Sequence, residues 1–185
     1  MSTVSETNIT PAAVVAFWRG VGPDKWFEKD AALDEEIRRR FLALHAAAVA
    51  GKLADLEQSA EGALALLLLL DQFSRNLYRG DPRAFAADPQ ARAIASRALL
   101  KGFDAAFPDL RGFFYLPFVH SEDLADQERA IALYKGVNDA DGVKWAVLHA
   151  DIIRRFGRFP HRNAALGRAT TAEEQAFLDA GGFAG

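Results

Sequence analysis

The sequence predicts an all-α fold of seven or eight helices, built from helix–turn–helix pairs. Three observations carry this. Apolar residues recur at steps of three and four, the spacing of one helix face. No segment sustains the two-residue alternation of a strand, and no turn signal joins two such runs. Capping residues open the periodic segments and glycines close them.

Residues 1–9 read as a loose arm, and 10–185 as a single helical domain. Thr10 is an N-cap with Pro11 at the first helical position. That helix carries Val14, Val15, Phe17 and Trp18 and stops near Gly20. Gly22-Pro23 is a turn, and Trp26 and Phe27 are expected in the core. Asp30 to Gly51 forms a helix with Leu33, Ile37, Phe41, Leu44 and Ala48 on one face. Its acids Asp34, Glu35 and Glu36 precede Arg38, Arg39 and Arg40, the order the helix dipole favours. Glu61 to about Asn76 is a central helix, apolar on every side until Leu70 and therefore buried all round.

Asp81-Pro82 marks a turn, and Asp88-Pro89 opens a helix that places Ala91, Ile94, Ala95 and Ala98 inward and stops at Gly102. Residues 103–112 are a loop or short turn around Pro108. Phe113 to Phe118 is an apolar aromatic segment interrupted by Pro117. Ser121 is expected to cap a helix running to about Lys135. Asp139 or Asp141 opens the next, to Phe156, with Trp145, Leu148, Ile152 and Phe156 on one buried face and Ala146, Ala150 and Ile153 on another. Residues 157–169 form a loop. Thr171 and Glu174 make a capping box for a last helix ending at Gly181.

Bulk properties narrow the function. Half of the 185 residues are hydrophobic, enough for one sizeable core without staples. There is no cysteine, so disulfides and thiolate metal sites are excluded. The longest apolar run, Ala63 to Leu70, is far short of the about 20 residues that span a membrane. The polar N-terminus lacks a signal core, and the expected compartment is the cytoplasm. A net charge of −3 suggests no nucleic-acid partner. The sequence holds no phosphate-binding P-loop, no G-x-S-x-G elbow and no dinucleotide fingerprint.

Three clusters of polar residues carry candidate chemistry. Directly after five leucines the central helix delivers Asp71, Gln72, Arg75, Asn76 and Arg79. Asp71 and Arg75 are four apart, acid first, and share a face. The cluster reads either as a helix end surfacing into water or as a polar stripe on a pocket floor. The second is His120 with Glu122, Asp123, Asp126 and Gln127, where Glu122 and Asp126 repel at four residues' spacing unless a cation lies between them. The third is the basic stretch Arg154, Arg155, Arg158, His161, Arg162, Asn163 and Arg168, with five arginines and no acid between Ile152 and Ala172. These arginines are expected to face the acids of 122–128, or to leave guanidiniums free for a carboxylate or phosphate. His120, His149 and His161 match no metal-ligand spacing, and neither a metal nor a cofactor is expected.

The strings FWRGVGPDKWF (17–27), LLDQFSRNLYRG (69–80), YLPFVHSEDLADQ (115–127) and IIRRFGRFPHRNAALGR (152–168), the last followed by Thr-Thr-Ala-Glu-Glu, resemble a bacterial family known as domain of unknown function 924. The resemblance covers the chain after residue 10. It implies an all-helical fold of antiparallel helix pairs, similar to tetratricopeptide-repeat domains, and no established activity. Ser74 stands where that pattern has proline, and is expected to leave the helix straighter.

Three functions emerge as expectations. The first is a binding module in which Arg75, Arg158 and Arg162 hold an anionic small molecule or peptide end in an inter-helix cleft. There Asp71, Asn76, Arg79, His120, Glu122, Asp126, Gln127, Arg155, His161 and Asn163 complete the binding set. The second is a hydrolase using His120 or His161 with Glu122 or Asp126. The third is a scaffold whose polar residues form an internal network.

Overall fold

The computed structural model describes residues 10–183; the arm expected over 1–9 lies outside them. The described residues form α1 (Pro11–Val21), α2 (Ala31–Val49), α3 (Ala60–Leu67), α4 (Ser74–Leu77), α5 (Asp88–Leu100), α6 (Gly112–Val119), α7 (Leu124–Gly136), α8 (Ala140–Phe156) and α9 (Ala172–Asp179). A π-helical stretch, Leu68–Phe73, joins α3 to α4 without a break. Counted as one helix, these three segments leave eight helices and no strand among the described residues, an all-α fold.

The central helix is the axis of the core. Residues Ala63–Leu70 are each 2% exposed or less, because α1, α2, α5 and α6 cover every side. Burying each leucine there contributes about 1.5–3 kcal/mol. Phe41, Phe73 and Trp18 fill the space between α1, α2 and the π stretch, with the Phe73 ring 5.1 Å from Phe41 and 5.4 Å from Trp18. A second, smaller cluster of Ile152, Ile153 and Phe159, with Phe156, Phe177 and Phe183, fastens the loop after α8 and the helix α9.

Caps form where short polar side chains precede the apolar periods. Thr10, Asp30, Ser59, Asp139 and Thr171 each accept from a first-turn amide, and the Thr171–Glu174 box is complete. α7 starts later than expected. Asp123 is its cap, whereas the Ser121 hydroxyl accepts from the Asp123 amide just before the helix.

Other expectations are corrected. The Phe113–Phe118 segment is helical despite Pro117, since proline there removes one donor while the segment buries three phenylalanines and Tyr115. The first helix passes Gly20 and ends at Gly22, whose φ of 84° is left-handed. Phe27 lies outside the core at 69% exposure. Trp145 and Leu148 also face outward, at 53% and 37%, whereas Ile152 on the same stripe and Ala146, Ala150 and Ile153 on the neighbouring one are buried. The central helix runs through Ser74 without a break. Residues 68–73 are π-wound, with the Ser74 hydroxyl donating to Leu70 O at 2.6 Å and accepting from His45 Nε2 at 2.8 Å.

Candidate functional site

Five elements meet at one polar cleft of about 680 Å³. The first two turns of α5 bring Asp88 and Arg92, and the turn before the helix brings Phe85. The C-cap of α6 brings His120, the start of α7 brings Glu122 to Leu124, and the loop after α8 brings Arg162 and Leu166. Beneath them lies the π stretch with Asp71.

Asp71 comes directly after five leucines yet is 1% exposed, so the central helix carries its carboxylate into the interior. Three donors hold it there. His120 Nδ1 lies 2.7 Å from Oδ1, Gln72 Nε2 donates to Oδ2, and Arg75 Nη1 lies 3.2 Å from Oδ1. Burial alone would raise its pKa, but Arg75, His120 and Gln72 outweigh burial and hold the carboxyl well below its usual range. Arg75 also makes a two-pronged bond to Asp88 at 3.1 Å and donates to Asp71 O at 2.7 Å. Arg75 is therefore neutralised from both sides, and its pKa is raised. Burial and the Arg75 charge outweigh Asp71 at His120 and hold the imidazole below its ordinary pKa, neutral at pH 7.

Arg162 is 6% exposed and sandwiched, with its guanidinium carbon 4.6 Å from the Phe85 ring centre and 4.5 Å from that of Phe159. Its edge is less well served. Nη2 donates to His120 O at 2.9 Å, Nη1 stands 3.6 Å from Asp88, and the buried Nε has no partner. Burial and Arg75, incompletely offset by Asp88 and Glu122, bring its pKa down to about 10.

A second network ties the loop down. Glu122 accepts two bonds from Arg168, at 2.7 and 3.0 Å, and one from the Phe159 amide at 2.8 Å. Burial opposes these donors but does not prevail, and the Glu122 pKa falls. Arg168 also reaches Asn163 Oδ1 and Phe159 O. Asn163 and Arg158 both donate to Glu174, which is held down to a pKa of about 2, the Arg158 pair first among the causes.

The residues singled out in the sequence divide accordingly. His120, Glu122 and Arg162 line the cleft, with Asp71 and Arg75 beneath it. Asp126 reaches it through Arg92, at 3.2 Å. Asn76 and Arg79 turn away, both bonding Asp34 on α2. Gln127 is fully buried and donates to Val119 O and Ser121 O, closing the end of α6. Arg155 pairs with Glu173 in solvent, and Arg158 and Asn163 serve the loop network. His161 packs behind Arg162 among Phe159, Phe183 and His149. The basic loop meets the acids of 122–128 at Arg168–Glu122 and Arg154–Glu128; its other partners are Asp88, Asp151, Glu173 and Glu174.

Sequence reasoning missed Phe85 and Arg92 and read Asp88 only as a helix opener. Asp88 sits at an N-terminal turn, where an acid is expected for local reasons, so nothing local signals its distant arginines. Among the described residues, no three His, Asp or Glu side chains are grouped to hold a metal ion, and no helix is long and apolar enough to cross a membrane.

No curated protein matches the chain. A solved structure titled as that of a protein of unknown function, ATU0120 from Agrobacterium tumefaciens, is similar at 48% identity and a TM-score of 0.88, covering 92% of this chain and 97% of that one. Residues 14–182 match the family described as bacterial protein of unknown function (DUF924). With nearly the whole described domain inside that match, the chain belongs to the DUF924 family.

Proposed function

We propose that the cleft binds a small molecule or peptide end carrying a carboxylate or phosphate, and that Arg162 receives the anion. The observation that carries this reading is the state of Arg162. It is a buried guanidinium with both faces covered by aromatic rings, one good hydrogen bond on its edge and no carboxylate nearer than 3.6 Å. An anion at that edge would complete a charge the fold leaves under-compensated, in the geometry guanidinium favours. α5 and α7 both begin at the cleft, so their first turns add positive potential. The volume suits a metabolite or the last residues of a peptide.

In this reading Arg75 is a counter-charge for Asp71 and Asp88, not a ligand contact. Glu122, Arg158, Asn163 and Arg168 are a lock that holds the Arg162 loop against α7 and α9. The compartment is read as the cytoplasm, with which a cysteine-free chain is compatible, and the helix pairing as tetratricopeptide-repeat-like.

Thermal melts with phosphate and with succinate test the reading. One of them should stabilise the protein saturably, by roughly 2.7 kcal/mol at a hundredfold excess over Kd, and R162Q should abolish the effect. An absence of saturable stabilisation by either anion, or the same stabilisation in R162Q, overturns the assignment.

A further inference from the structure

We propose that the same cleft is an active site, in which His120 takes a proton from water and Asp71 holds the imidazole in place, so that the protein hydrolyses an acyl bond in a molecule seated on Arg162. This rests on the anion-binding reading and adds chemistry to it.

The geometry is that of a tautomer lock. An ionised carboxylate can only accept, so the 2.7 Å contact with Asp71 puts the ring proton of neutral His120 on Nδ1. The lone pair is then on Nε2. That nitrogen has no hydrogen-bond partner among the described residues, and the ring is 16% exposed on the wall of the cleft. Two of the other histidines show what structural use looks like in this protein. His45 Nε2 is spent on Ser74, and His149 donates Nδ1 to Trp145 O of its own helix. His120 pairs with a carboxylate and keeps its second nitrogen for the cleft.

Asp71 gives an independent sign. It lies within the π-helical stretch of an otherwise leucine-rich helix, and single π turns in α-helices recur where a side chain has been re-aimed for function. Packing alone would be served better by another leucine there, since a buried carboxylate must be compensated by Arg75 and Gln72. The charged and titratable groups around His120 are Asp71 and Arg75 of the central helix, Asp88 of α5, His149 of α8, and His161 and Arg162 of the loop. Together they leave the imidazole as the free base at neutral pH.

The reaction balances without a further reagent. Water oxygen bonds to the acyl carbon as its proton passes to Nε2, and Asp71 stabilises the imidazolium. Arg92 lines the same cleft and is paired with Asp126 through Nε, and its terminal nitrogens are assigned to the developing oxyanion. The tetrahedral intermediate then breaks its bond to the leaving oxygen or nitrogen, which takes the proton back from Nε2. The products are a carboxylic acid and an alcohol or amine.

The test uses p-nitrophenyl hemisuccinate, its neutral analogue p-nitrophenyl butyrate, and succinate binding measured separately by thermal melts. The wild-type protein should hydrolyse the hemisuccinate saturably and in preference to the butyrate. H120Q should lose roughly 10²–10⁴-fold in kcat while still binding succinate. D71N should lower kcat, move the acidic limb of the pH profile, and shift the His120 proton towards Nε2 in ¹⁵N spectra. In wild type those spectra should show the proton on Nδ1. Full turnover in H120Q, no hydrolysis by protein that binds succinate, or a wild-type proton on Nε2 overturns the proposal and leaves the binding reading intact. Failure to bind either succinate or phosphate overturns both.

Discussion

Lowering the pH from 7 to 5 adds a proton to nearly every histidine of the unfolded chain, where each titrates near 6.5. The folded protein resists that proton at two neighbouring positions. His149 is 7% exposed, its Nδ1 donates to Trp145 O at 2.8 Å, and its ring meets Phe183 at 4.5 Å and Phe159 at 5.6 Å. Burial pushes its pKa down to about 4. His161, in the same aromatic nest with an unpartnered buried Nδ1, is pushed down to about 3, again chiefly by burial, with Arg162 next. These are bases with depressed folded pKa values. Their contribution to stability is fully present above 6.5, declines as the pH falls towards 4, and then levels off. The slope is about 1.36 kcal/mol per pH unit and per group, so His149 alone costs about 2 kcal/mol between pH 7 and 5. His45 and His120, also lowered by burial, act in the same direction. The depressed carboxylates, Asp71 foremost, lose their contribution only at lower pH, so the window from 6.5 to about 4.5 belongs to the histidines. For a domain of this size 2 kcal/mol is roughly 4–8 °C in Tm. The assay is calorimetry at pH 7, 6 and 5 on wild type and H149F, in which the replacement ring stays in the aromatic nest. The readout is the difference between pH values, which cancels any fixed cost of losing the Trp145 bond. The wild-type Tm should fall, and the fall should be smaller in H149F by about 4–8 °C. Equal falls in the two proteins, or a flat wild-type Tm from pH 7 to 5, would refute the reasoning.

Two substitutions probe the central helix. A Cβ at Gly62 would stand 2.1 Å from Leu56 O, a backbone atom that cannot step aside cheaply, so G62A should lower the urea unfolding free energy by about 1–3 kcal/mol. R75M leaves both Asp71 and Asp88 in the interior without their shared cation and should cost about 3–5 kcal/mol at pH 7, read from the same urea midpoint.

The all-α class and most helix ends were legible in the residues because they depend on short-range physics. A run such as Ala63 to Leu70 can only be buried, and Thr171 with Glu174 can only cap the helix that begins at Ala172. Periodicity was weaker at deciding which face is covered. Trp145 and Leu148 share a stripe with Ile152, yet only Ile152 is buried, by the aromatic cluster of the following loop and α9, and nothing in α8 itself records that choice. The polar cluster after Leu70 shows the same limit. Asp71 and Arg75 stay together because four residues is one helical turn, whereas Asn76 and Arg79 on the next face meet Asp34 of another helix.

By itself, then, the sequence determined the helices other than α6, most of their caps, the buried central axis and most of the residues with chemistry to offer. Tertiary structure decided who meets whom. It brought His120 to Asp71 across 49 positions and set Arg162 between Phe85 and Phe159, near Asp88. The division has one cause. Helical hydrogen bonds and apolar periods act over three or four residues and are written locally, while a carboxylate's partner and pKa depend on side chains delivered from elsewhere by packing.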